Sequence, residues 1–311
     1  MTKSPVIRLD EKDNVVVARV AIASGTPIAG ENITTLQDVP LGHKVATRLI
    51  KKDEPILKYN TVIGFAPEDL PPGTWLHSHN IVFEDFQRDY AFSRDYRPVQ
   101  TVPPDQRRTF NGYVREDGRV GTRNILGVFV VGNCGATVAR KIAAHFTEER
   151  LQAWPNVDNV VPYVHELGCG MEMSGEPMDL LRRTLAGYIN NPNTAGALVV
   201  ALGCERNNIH GFFEQMGLEE SPMLRKLVIQ DTGGTRKTID EGIAIIESML
   251  PQANTIKRQP VSVEHLTIGL QCGGSDGFSG LSANPALGVA MDLLVEQGGT
   301  AILSETTDFR S

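Results

Sequence analysis

The chain is short of several things, and each shortage excludes a class of function. It holds no apolar run approaching the ~18 residues that a membrane helix requires, and its first twenty residues, MTKSPVIRLDEKDNVVVARV, show neither an apolar signal core nor a small-residue cleavage site. These absences argue against membrane insertion and secretion, and cytoplasm is the expected location. Aromatic residues make up only 6% of the sequence, and the net charge is −7. No basic stripe interleaved with aromatics is visible, so nucleic acid is not an expected partner. Only four cysteines occur in 311 residues. In a reducing compartment that number points away from disulfides and toward metal binding or catalysis, provided the cysteines are grouped.

What is present begins with the placing of those cysteines. Each closes a β-like run and opens a Gly- or Ser-containing turn: ILGVFVVGNC at Cys134, VPYVHELGC at Cys169, AGALVVALGC at Cys204 and LTIGLQC at Cys272. If the runs are parallel strands of one sheet, the thiols gather at its carboxyl edge, where open α/β sheets bind ligands. Their spacings of 35, 35 and 68 residues fit no compact finger or ferredoxin pattern. A thiolate site for iron, zinc or an iron–sulfur centre would therefore be made by the fold. The plain alternative is that each Cys is a small, buried apolar residue.

The chain divides by grammar. Residues 1–83 read as a small all-β module, with short runs at 14–20, 43–50 and 55–63 broken by turn signals. Residues 84–110 are polar and Pro-containing and read as a linker. From 111 onward, strand-like runs (125–131, 160–164, 197–202, 226–230, 266–270, 300–303) alternate with helical segments (137–150, 177–189, 238–250, 285–297). That alternation predicts βαβ units and a mostly parallel α/β sheet. We place this second domain at 111–255 and the start of a further, incomplete domain at 256–311, because the final residues stop after a strand with no closing helix.

Five other motifs carry possible chemistry. In QCGGSDGFSGLSANP (271–285), glycines free backbone N–H groups to converge on a carboxylate or phosphate. Ser275 and Ser279 add hydroxyls there, and Asp276 is a candidate base or metal ligand; the bland reading is a Gly-rich turn with a helix cap. His165 and Glu166, just before Cys169, are candidates for proton transfer or ligation, or an ordinary strand-end pair. Asn207, in the run Glu205–Asn208 (ERNN), either contacts a polyhydroxylated substrate or belongs to a helix cap. His77 and His79, as an HxH on a strand, would share a face toward a metal or carboxylate, with His43 in GHK a further candidate, or would be inert surface residues. Arg123 offers a bidentate clamp for a carboxylate, or belongs to a turn.

Taken together, GHKVA (42–46), HSHN (77–80), DGRVGTRN (117–124), GNC (132–134), HELGC (165–169), ALGCERNN (201–208) and QCGGSDGFSGLSANP resemble the altronate/galactarate dehydratase family, which also includes sulfolactate sulfo-lyase. HSHN is more similar to the altronate branch. The resemblance implies an N-terminal SAF-type, β-clip-like domain, then an α/β domain, then a C-terminal domain. It implies loss of water from a sugar acid to give a 2-keto-3-deoxy acid, with iron(II) as cofactor. Family members are longer, so the expectation is a truncated chain or one completed by a second polypeptide; a homo-oligomer is also open. On this basis Cys169, Cys204 and Cys272 are expected to hold iron, alone or as a cluster, with Cys134 a fourth candidate. His165 or Glu166 is the expected base, with Asp276 beside it, and Ser275, His43, His77 and His79 are expected at the substrate. Competing readings are elimination of sulfite from a sulfonated hydroxy acid, a non-catalytic sugar-acid-binding subunit and a zinc-stabilised structural protein.

Overall fold

The computed structural model describes residues 4–84, 96–271, 273 and 278–304. The chain forms two compact units: Met1–Thr101 with Thr267–Glu296 and Ala301–Ser311, and Val102–Leu266 with Gln297–Thr300.

The first unit begins with strands β1 (Val6–Ile7), β2 (Val15–Ala18), β3 (Pro27–Ile28), β4 (Ile33–Thr34), β5 (Lys44–Ala46), β6 (Pro55–Lys58), β7 (Thr61–Phe65) and β8 (Trp75–Leu76). β1, β2, β5 and β8 make an antiparallel sheet in that order, and β3–β4 and β6–β7 are hairpins. The run at 55–63 thus turns back on itself. Tyr59 and Asn60 both take positive φ (56° and 54°), as a tight hairpin turn requires. The buried Asp13 carboxylate accepts from both their N–H groups, at 3.0 and 2.8 Å. That remote carboxylate is why a turn forms here without glycine.

The second unit follows with β9 (Thr109–Val114), β10 (Val120–Gly121), β11 (Ile125–Val130), α1 (Ala136–His145), α2 (Glu148–Leu151), β12 (Asn159–Tyr163), α3 (Glu176–Ile189), β13 (Thr194–Ala201), α4 (Ile209–Met216), β14 (Leu224–Val228), α5 (Ile229–Thr232), α6 (Thr235–Thr255) and β15 (Arg258–Ser262). Its main sheet is parallel, in the order β12-β11-β13-β14. The strands are apolar at successive positions because both faces are covered. Leu126, Val128, Val130, Leu198 and Val200 pack with α1 and α6 residues such as Ile142 and Ile246. Phe129, Val131, Ala197, Val199 and Ala201 pack with Met178, Leu181 and Phe212 of α3 and α4. The strand order reverses between β11 and β13, and an open sheet forms its ligand crevice beyond the carboxyl ends at such a reversal.

α4 was not among the expected helices. Asn208 starts it by accepting from the N–H groups of His210 and Gly211 (3.0 and 3.2 Å), and Gly217 ends it in the left-handed conformation. β9, β10 and β15 form a separate antiparallel sheet, so the segment read as a linker already enters a strand at Thr109. The last elements are β16 (Thr267–Leu270), α7 (Asn284–Glu296) and β17 (Thr300–Leu303), with β16 and β17 paired.

Candidate functional site

Three of the four cysteines stand where one sheet edge places them. Cys134, Cys169 and Cys204 follow β11, β12 and β13, three neighbouring strands of the parallel sheet. The strand expected to lead into the fourth, β16, pairs only with β17 among the described strands. Equivalent sequence grammar hid two different sheets. Cys272, Ser275 and Asp276 themselves lie outside the described residues, so the expected Gly-rich anion loop is not placed.

The two LGC tripeptides fold alike for a physical reason. Gly168 and Gly203 have φ of 100° and 127°, a region closed to most side chains. A Cβ on Gly168 would stand 2.5 Å from the Val131 carbonyl oxygen. The glycine therefore lets the Cys169 loop lie directly on the Cys134 loop. Backbone bonds continue the lacing: Asn133 N–H donates to Leu167 O at 3.0 Å, and Asn207 N–H to Gly168 O at 3.1 Å. Arg206 reaches across to Met171 O at 2.7 Å. The Sγ atoms of Cys134 and Cys169 meet at 3.2 Å. Cys134 and Cys204 are exposed and Cys169 is half-buried.

Asn207, expected to face substrate, is instead a brace. It is 0% exposed. Its amide donates to Val131 O at 2.9 Å and its carbonyl accepts from Arg182 Nε of α3 at 2.9 Å. Both ends are engaged and the side chain is fully buried, so it ties the three cysteine loops together out of a ligand's reach. The polar run carried a second residue that sequence reasoning passed over. Glu205 is 5% exposed, and its carboxylate accepts from the N–H groups of Leu202 and Gly203. Its charge presses on Cys169. The Cys169 thiol is pushed up to about 11 from 9.0, first by its hydrogen bond with Cys134, then by burial and by the neighbouring charges. At neutral pH Cys169 keeps its proton.

His165 and Glu166 separate. His165 Nδ1 accepts from Leu167 N–H at 3.1 Å, which puts the imidazole proton on Nε2, facing Val130 O at 2.9 Å. Both nitrogens are engaged, and the ring pins the end of β11 to the loop after β12. Glu166 is exposed and makes no side-chain hydrogen bond among the described residues. Arg123 belongs to the opposite edge. It precedes β11, whose six residues span roughly 20 Å, and its side chain is 67% exposed and 3.7 Å from Asp158. The expected clamp cannot reach the thiols from there.

Thiols are the donors that iron and zinc favour. Among the described residues, however, no group of three or more His, Cys, Asp or Glu side chains is arranged to hold a metal ion. Cys134 and Cys169 meet as a pair of donors. The described residues do not by themselves complete an iron or iron–sulfur site.

The first unit holds a second constellation. His77 and His79 fall in the turn after β8, not on the strand as expected, with Asn80 N–H closing onto His77 O at 3.0 Å. The rings still gather. His43 stacks on His77 at 4.8 Å, and His77 and His79 lie 6.4 Å apart. The Trp75 indole donates to His43 Nδ1 at 3.0 Å. A cavity of about 300 Å³ is lined by Leu41, Gly42, His43, Lys44, His77 and Phe278. Ser279 follows Phe278 and begins the helical turn Ser279–Ala283 before α7. A larger cavity of about 710 Å³ beside α7 is walled mainly by apolar side chains such as Leu287, Met291 and Leu303, and among the described residues neither thiol nor imidazole lines it.

Comparison with known proteins agrees with the architecture along the chain. Residues 4–84 match the altronate/galactarate dehydratase SAF domain, 112–254 the D-galactarate dehydratase/altronate hydrolase second domain, and 263–311 the D-galactarate/altronate dehydratase C-terminal domain. The chain belongs to the altronate/galactarate dehydratase family. It is 33% identical to altronate dehydratase of Bacillus subtilis (strain 168) over 306 residues, 97% of the chain and 60% of that protein. It is 32% identical to the L-threo-forming galactarate dehydratase of Escherichia coli (strain K12) over 312 residues, 98% of the chain and again 60% of the relative. A (2R)-sulfolactate sulfo-lyase β subunit from Chromohalobacter salexigens is 31% identical over 201 residues, 65% of the chain and 47% of that subunit. The chain thus spans about 60% of the length of the two dehydratases. Among the described residues, no helix is long and apolar enough to cross a membrane.

Proposed function

We propose that the chain is the SAF and α/β part of a sugar-acid hydro-lyase, which removes water from an aldonate or aldarate such as altronate or galactarate. The observation that carries this reading is the continuous match to dehydratases over 97% of the chain. The reaction removes the proton on C2, expels the C3 hydroxyl as water and leaves an enol that tautomerises to the 2-keto-3-deoxy acid. Glu166 is the base in this reading, because its carboxylate is exposed at the thiol edge while both nitrogens of His165 are engaged. Cys169 retains its proton at neutral pH and touches Cys134, so the pair is a proton source for the departing hydroxyl. Glu205, Asn207 and His165 hold the loops that position these groups.

Incubation with altronate and with galactarate, followed by proton NMR, tests the reading. The expected product signal is a new C3 methylene, and its absence with both acids would overturn it. The partial match to a sulfo-lyase β subunit favours one alternative: the same elimination with sulfite leaving from C3. Sulfite release from sulfolactate, with both sugar acids inert, would establish that alternative. Iron analysis of anaerobically purified protein decides whether the iron(II) implied by the resemblance accompanies activity.

A further inference from the structure

The cavity of the first unit has an unusual charge balance. Lys44 lies on β5, half-buried, and among the described residues it makes no ion pair. Burial lowers its pKa, and the charge of Lys58 on β6 lowers it further. His43 is pressed the same way by burial, by His77 and by Lys44. The remaining walls are Leu41, Gly42 and the Phe278 ring, so among the described residues no acidic side chain lines the cavity. A protein that desolvates an ammonium beside a second cation loses free energy unless something negative sits there. The donors are also arranged for it. With Nδ1 of His43 taken by the Trp75 indole, the neutral ring carries its proton on Nε2 and remains a hydrogen-bond donor. The Phe278 ring closes one side: a Cβ on Gly42 would stand 3.4 Å from it.

We propose that this cavity, formed by His43, Lys44, His77 and Phe278, is an anion subsite that binds the carboxylate of a small polyhydroxy acid. The choice of a hydroxy-acid carboxylate over other small anions rests on the dehydratase reading above; the preference for an anion rests on the cavity alone. Lys44 supplies the charge and His43 and His77 supply ring N–H donors. The volume of about 300 Å³ is at the small end of ligand sites and suits a single six-carbon acid. Phe278 and the 278–283 turn are held to the β module by Tyr59, whose hydroxyl donates to Gly280 O at 2.6 Å, so the pocket wall is built into the unit.

The test is titration of the whole chain with galactarate, watched through the histidine imidazole NMR signals, with galactitol as the uncharged counterpart and inorganic phosphate as the competing anion. The subsite predicts that galactarate moves the His43 and His77 signals, that galactitol does not, and that phosphate does so more weakly. K44M, which keeps the apolar stem, should weaken galactarate binding at least tenfold, and K44R should bind within about threefold of the native chain; thermal melts of both variants confirm that they fold. Equal galactarate affinity in native and K44M protein, or a stronger response to phosphate than to galactarate, would overturn the proposal. Turnover of galactarate with no response at these imidazoles would overturn the subsite and leave the dehydratase reading intact. A full imidazole response without turnover of either sugar acid would support the subsite and remove that reading.

Discussion

The two constellations in this chain are built on opposite plans. At the thiol edge of the α/β unit nearly every polar side chain is spoken for: Asn207 by Val131 O and Arg182, Glu205 by two backbone N–H groups, His165 by Val130 O and Leu167 N–H. In the first unit the His43–Lys44–His77 group is held by ring stacking, the indole bond to His43 and a bond between His77 Nδ1 and Ser78 Oγ, and its ammonium has no counter-charge among the described residues. Polar groups with all their partners are scaffolding, and those left without partners are where a ligand belongs. Within the thiol edge, that rule singles out Glu166 and the exposed thiols from their braced neighbours.

The comparison can be broken most severely at Asn207. N207A removes the donor to the Val131 carbonyl and the acceptor of Arg182 Nε at a fully buried position, which should cost about 3 kcal/mol. For a unit of this size the melting temperature should fall by roughly 6–12 °C. A melt within 2 °C of the native protein, on the order of 0.5 kcal/mol, would deny Asn207 its bracing role. H165A should cost about 1–2 kcal/mol by freeing Val130 O, read as a drop in the denaturant midpoint.

Thiol labelling sharpens the contrast inside the edge. The folded protein holds the Cys169 proton more tightly than an unfolded chain does, since its pKa rises to about 11 from 9.0. That contribution to stability is complete below pH 9 and is lost as the pH climbs through 11. At pH 8.5, iodoacetamide with mass-spectrometric readout should therefore modify Cys169 more slowly than the exposed Cys134 and Cys204. Cys169 reacting first would contradict the shift. The smallest effect is expected from R123A. Its ion pair with Asp158 is exposed and long, at 3.7 Å, and such pairs are worth about 0–1 kcal/mol. Stability and turnover should both stay near native, whereas a large loss of turnover would restore Arg123 as a substrate clamp.

The α/β grammar is legible in the sequence because a strand covered on both faces is apolar at every position, as ILGVFV and GALVVA are. The helices beside it show the usual helical periodicity. α4 escapes because IHGFFEQM carries glycine and paired aromatics, and β15 because RQPVS is an exposed, polar edge. At the candidate site, the sequence marks which loops matter but not which atoms are spent. Asn207 and Glu166 look equally available in a string of letters; only the meeting of three loops, 35 and more residues apart, buries one and leaves the other open. The pairing of β16 with β17 is hidden for a related reason, since a strand that leads into a Cys reads the same in either sheet. Arg123 sits in a motif that resembles the family's, yet a strand's length separates it from the thiols.

The most direct test of the account is the turnover of E166Q with the sugar acid that the native protein dehydrates. Glu166 is exposed and unbraced, so the substitution should leave the melting temperature unchanged while kcat falls by about 10²–10⁴-fold. A variant that folds normally and retains native kcat would contradict the proposal that Glu166 removes the substrate proton.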